Sequence, residues 1–203
     1  MEQTSKLKEM QTKVERIVKF NSTKYLYAGG AVLDAYYGTS FANDVDVFVP
    51  YHPDLDTGIE LLDQTKYTMS NLSETEYNFD MLYKVINVYC VETYQHVVDI
   101  VFIRVPSPNI SMEKFHHILV DQFDVKICSL AWDGNNLYYP PLELADLNLK
   151  TSKVKIQMCK IPSPIDDARH VVYVHNHRLV KEIKRFNKYQ ERGFKLTGYA
   201  CYW

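Results

Sequence analysis

Three aspartates and a glycine pair are the residues of this chain whose types and spacing can do chemistry. Asp44-Val45-Asp46 begins a β-branched and aromatic run that continues through Val47, Phe48 and Val49. On a strand, residues two apart point to the same face, so Asp44 and Asp46 project side by side. Two carboxylates so placed repel unless a cation lies between them. Hard divalent ions take such oxygen ligands, and Mg²⁺ keeps its remaining positions for water and substrate phosphates. Asp99 sits inside Val97-Val98-Asp99-Ile100-Val101-Phe102-Ile103, the most apolar run of the chain. A charge buried there needs a partner or a metal. If this run lies beside the Asp44–Val49 strand, three carboxylates converge. Gly29-Gly30 follows the short run Tyr25-Leu26-Tyr27-Ala28 and precedes a helix-compatible stretch. Glycines at a strand-to-helix turn let backbone N–H groups approach a phosphate, and the helix N-terminus adds a favourable field.

Each piece also has a plain structural alternative. A Gly-Gly pair can be only a turn, Asp-x-Asp can decorate an exposed strand, and Asp99 can pair with Arg104. The order and spacing of all three favour the metal-and-phosphate reading. His175-x-His177 and His116-His117 find no ligand partner nearby and read as packing or surface pairs. The four cysteines, at 90, 128, 159 and 201, form no CxxC pair and read as reduced, mostly buried thiols.

The elements that must position these residues follow from the apolar pattern. Leu7, Met10, Val14, Ile17 and Val18 form one stripe of an amphipathic helix over 5–20. Short strands are expected at 25–28 and 45–49, with a helix over 31–37 between them and another helix over 54–64. Two strands follow, at 81–91 and 97–105, the second closed by Pro106 and Pro108. A helix is expected over 112–121. Residues 125–132 read as a strand, joined to 137–139 through the turn signal Asp133-Gly134-Asn135-Asn136. After Pro162 and Pro164 the chain reads as helical and basic to about Phe194. The expectation is an α+β fold: a mixed β-sheet head over 1–150 with flanking helices, and a short basic C-terminal helical annex over 151–203.

Composition bounds the function class. At 203 residues, with 46% hydrophobic and 24% charged side chains, the chain has the balance of a globular fold with a core, not of a disordered one. No run approaches the ~20 apolar residues of a membrane span. The charged first twenty residues do not resemble a signal peptide, so a cytoplasmic protein without membrane contact is expected. The net charge of −2 hides an asymmetry: residues 150–195 hold 12 Lys/Arg against 4 Asp/Glu. An acidic front suits cations and a basic back suits a polyanion, although a lysine-rich helix can be merely solvated. Lys181, Arg185, Lys188, Arg192 and Lys195 follow at steps of four, three, four and three, which on one helix would make a single cationic stripe.

Taken together, Gly29-Gly30-Ala31-Val32, Asp34, Gly38 and Asp44-Val45-Asp46-Val47 resemble the first motif of the DNA polymerase β-like nucleotidyltransferase superfamily. The detail is similar to the head of bacterial-type tRNA CCA-adding and poly(A) polymerases. Phe123-Asp124, Ser129 to Gly134 and Asp146-Leu147 resemble the stretch that closes that head. Arg185, Lys188-Tyr189 and Arg192-Gly193-Phe194 resemble its first neck helix. The short form also resembles stand-alone members from phages and large DNA viruses. The resemblance implies a nucleotidyltransferase head and transfer of a nucleoside monophosphate from an NTP to an acceptor hydroxyl, with RNA the first candidate. The alternatives are a protein side chain as acceptor, or a non-catalytic nucleotide- or RNA-binding module. Asp44 and Asp46 would hold two Mg²⁺ ions, with Mn²⁺ a possible substitute. Asp99 would share one ion and act as base. Gly29, Gly30, Arg185 and Lys188 would contact the nucleotide. The chain departs from the family where Leu33 replaces an arginine. It departs again where 121–124 reads Asp-Gln-Phe-Asp, with Gln122 at an arginine's place. The neck's Asp-x-x-Arg has only Glu182…Arg185 or Asp166…Arg169 to offer. With no body or tail beyond the neck, complete CCA addition is not expected.

Overall fold

The computed structural model describes residues 2–21, 24–40, 42, 44–63, 68–71, 85–92, 97–120, 123, 125–141, 151–158, 184–185 and 187–202. The chain falls into two compact units, one of 1–122 with 128–140, the other of 123–127 with 141–203.

The first unit is built on a mixed seven-stranded sheet of order β5-β6-β7-β3-β2-β8-β9. Its centre is β3 (Asp44–Tyr51), which runs antiparallel to β2 (Leu26–Ala28) and parallel to β7 (Val97–Arg104). β6 (Val85–Glu92) and β5 (Thr68–Asn71) continue the sheet beyond β7. The hairpin β8 (Ala131–Trp132) and β9 (Leu137–Tyr138) closes the other edge. Val47, Val49, Val98, Ile100 and Ile103 are buried, as β-branched residues on central strands should be.

Helix α1 (Glu2–Glu15) lays Leu7, Met10 and Val14 into the core, the stripe expected from their spacing. Gln11 accepts the indole N–H of Trp132 at 3.1 Å, which ties α1 to the β8–β9 hairpin. Helix α2 (Gly30–Tyr37) starts from Gly29 and ends at Gly38, whose left-handed φ of 71° lets its N–H reach the Asp34 carbonyl. Helix α3 (Met112–Val120) is capped by Ser111, whose Oγ accepts the Lys114 N–H at 3.3 Å, and buries Phe115, His116 and Leu119.

Three expectations about elements are corrected. The first helix stops at Glu15, and Val18–Phe20 forms β1, paired antiparallel with β4 (Ile59–Leu61). Among the described residues 54–63 the expected helix is therefore not formed: Asp56 accepts the Gly58 N–H and Gly58 accepts the Asn21 N–H, which turns the chain into a strand. Pairing between β-branched segments overrides the local helical spacing. Residues 126–129 form a turn of 3₁₀ helix instead of a strand, because the Cys128 and Ser129 carbonyls are taken by Gly29 and His116.

The second unit carries more strand than the expected helical annex. β10 (Thr151–Met158) and β11 (Lys195–Tyr202) pair in parallel over their full length. Residues 184–185 and 187–191 are helical. Gly193, at φ 83°, ends that helix, and the Phe194 N–H bonds the Tyr189 carbonyl at 3.0 Å. Tyr189 and Phe194 are buried with their rings 5.7 Å apart, and the Arg192 guanidinium lies over the Tyr189 ring. Arg192 and Lys195 thus lie outside the helix, so the five cations do not form one helical stripe. Lys181, with His175, His177, Asp166, Arg169 and Glu182, lies outside the described residues, as do Gln122, Asp124, Asp146 and Leu147.

Candidate metal centre

Parallel pairing of β3 with β7 sets Asp46 directly opposite Asp99, with Asp44 two residues back opposite Val97. Strand parity puts all three carboxylates on one face. One oxygen from each lies within 4.8 Å of the others, and all three side chains are half-buried. Arg104 is five residues further along β7, opposite Tyr51, so its Cα lies about 16 Å from that of Asp99. The alternative in which Asp99 serves only to pair with Arg104 is therefore not the arrangement found.

The donor set fits a hard divalent cation. Asp44, Asp46 and Asp99 would each offer it a carboxylate oxygen, and the ion would supply Lewis-acid chemistry there.

Gly29 has a different part from the one expected. Its N–H donates to the Cys128 carbonyl at 2.9 Å, so it is not available to a phosphate. Its φ of 85° and ψ of −154° lie in a region essentially reserved for glycine. A Cβ on Gly29 would press into Asp46 Oδ2, far inside van der Waals contact. Gly29 is therefore the clearance that lets the Asp46 carboxylate stand where it does. Gly30 opens α2, and the first turn carries no side-chain cap, which leaves its N–H groups pointing off the helix start.

The sequence reading quoted Asp34 only as part of the motif. Asp34 is buried, and its carboxylate accepts the Thr39 hydroxyl at 2.6 Å and the Ala42 N–H. It thereby fixes the connection from α2 into Asp44. Leu33, where the resembled family carries arginine, is buried in the core, so α2 brings no cation to the site from that position. Arg185 and Lys188 are exposed on the helix of the second unit.

A cavity of about 430 Å³ adjoins the trio, lined by residues of α1, α2 and the segment from Gly38 to Val45, Asp44 among them. The reading of α1 went no further than its apolar stripe, so this cavity was not announced.

Among the described residues no helix is long and apolar enough to cross a membrane. In comparisons with known proteins, no family model and no curated sequence matches the chain.

Proposed function

We propose that the chain is a Mg²⁺-dependent nucleotidyltransferase of the cytoplasm, which moves a nucleoside monophosphate from an NTP to an acceptor hydroxyl. RNA is the acceptor class that the basic segment 150–195 favours. One observation carries the reading. Three carboxylates from neighbouring parallel strands converge beside a helix start, and a glycine makes room for one of them.

In this reading Asp44 and Asp46 would hold two Mg²⁺ ions, or Mn²⁺ in their place, and Asp99 shares in holding one. Bound there, the ions supply Lewis-acid polarisation of the phosphate and lower the acceptor hydroxyl's pKa. The N–H groups at Gly30 and the rest of the first turn of α2 orient the triphosphate. The acceptor oxygen forms a bond to the α-phosphorus as the bond from that phosphorus to the α–β bridging oxygen breaks. Pyrophosphate leaves with the electron pair, and Asp99 takes the hydroxyl proton. Arg185 and Lys188 offer cations to the nucleotide or to a polyanionic acceptor.

The test is incubation with each α-labelled NTP, Mg²⁺ and either total RNA or cell lysate. Label on RNA supports the reading. Label on protein keeps the chemistry and moves the acceptor to a side chain. No label on either, with nucleotide still bound, leaves a binding module and overturns transfer.

A further inference from the structure

The cavity beside Asp44 runs between α1 and α2, from Ala31 near the start of α2 to Gly38 at its end. Its α1 wall presents Lys6, Met10 and Lys13, at steps of four and three, which is one line along a helix. Met10 belongs to the core, and Gln11 beside it is fixed to Trp132, so this wall is held against the sheet. Lys6 stands over Gly38, close enough that a Cβ there would meet its ammonium at 2.9 Å. Lys13 pairs with Glu9 at 3.0 Å, but the two side chains are 53% and 66% exposed. Such an exposed pair is worth little and is readily exchanged for a phosphate.

The eight residues of α2 span about 12 Å at ~1.5 Å each. A triphosphate oriented by the Gly30 end therefore leaves the Gly38 end, where Lys6 stands, to another group. Asp44 is the member of the trio that lines the groove.

We propose that this groove is the acceptor's phosphate site. Lys6 and Lys13 bind the phosphate adjoining the sugar whose hydroxyl is presented at Asp44. The assignment rests on the nucleotidyl-transfer reading for the role of that hydroxyl. Two sources carry this chemistry: the last phosphodiester of an RNA 3′ end, and the phosphate of a free mononucleotide.

Lysine acylation read by mass spectrometry tests it on the whole chain with Mg²⁺ and no NTP. The probes are a short oligoriboadenylate and adenosine 5′-monophosphate. With four sites in five filled, acylation of Lys6 and Lys13 falls about fivefold. Lys8 and Lys19, exposed outside the groove, are unchanged. Protection by the oligomer alone identifies a strand end, and protection by the monophosphate as well identifies a free sugar phosphate. Protection by neither overturns the site. In the transfer assay the exposed Lys13→Ala, which leaves the core untouched, raises the acceptor KM about tenfold and leaves the NTP KM alone. Glu9→Gln lowers the acceptor KM. In oligomer binding, each lysine removed lowers the slope of log affinity against log salt by about 0.7. Transfer that proceeds with Lys6 and Lys13 unprotected sinks the groove and spares the transfer reading. Protection without transfer to any acceptor keeps the phosphate site and sinks that reading.

Discussion

Replacing Gly29 by alanine separates a turn glycine from a glycine that makes room for chemistry. At φ 85° and ψ −154° an L residue costs about 1–3 kcal/mol of backbone strain. For a chain of this length that lowers Tm by about 2–12 °C. The added methyl also meets Asp46 Oδ2 at a separation no real contact tolerates, so the carboxylate must rotate off its position opposite Asp99. A displacement of about 1 Å at a reacting centre costs roughly a hundredfold in rate. Gly29→Ala should therefore lose both stability and the response of Tm to millimolar Mg²⁺. Gly193→Ala is the comparison: the φ is 83°, but nothing lies within 4 Å of the added carbon. It should cost strain alone and leave the Mg²⁺ response intact. The assay is thermal unfolding with and without Mg²⁺, followed by labelled-NTP transfer. A Gly29→Ala protein with the parent's Tm and Mg²⁺ response would refute the clearance argument.

Other outcomes follow from the same contacts. Asp34→Ala removes two hydrogen bonds to a buried carboxylate, each worth about 1.5–3 kcal/mol. Its Tm should drop by roughly 6 °C or more, and a parent-like Tm would contradict the role given to Asp34. His116 is held below its ordinary value of 6.5 by burial, opposed by its contact with the Ser129 carbonyl at 2.7 Å and helped by His117. The unfolded chain therefore binds more protons just below pH 6.5, so stability is fully present above that pH and declines as the pH falls through it. Urea midpoints measured from pH 7.5 to 5 should show this decline, and His116→Gln should flatten it. Asp46→Asn should abolish stabilisation by Mg²⁺, which otherwise grows with concentration by mass action; a variant that melts and responds like the parent would count against the centre.

The aspartate trio was legible in the sequence because a strand's period of two is rigid. Asp44 and Asp46 had to share a face, and an acidic residue inside Val97–Ile103 had to be costly unless placed at a site. Parallel pairing of those two runs then left Asp99 little choice of neighbour. Segments whose state is decided by distant partners were not legible. Val18–Phe20 continues a helical stripe until Ile59–Leu61 pairs with it, and Lys126–Ser129 alternates like a strand until Gly29 and His116 take its carbonyls. The helical pattern from 178 to 195 ran past its true end because Gly193 turns left-handed there. Gly29 was recognised for its flexibility, but its committed N–H and its clearance of Asp46 are three-dimensional facts. The groove wall made by Lys6 and Lys13 was hidden for the same reason.

The most direct measurement is Mn²⁺ titration by electron paramagnetic resonance, with a non-hydrolysable NTP analogue present. The account predicts about two ions per chain, the number at which metal-bridged phosphoryl transfer operates, displaced by Mg²⁺ and lost together in Asp46→Asn and Gly29→Ala. A parent protein that binds no more Mn²⁺ than Asp46→Asn does would contradict it.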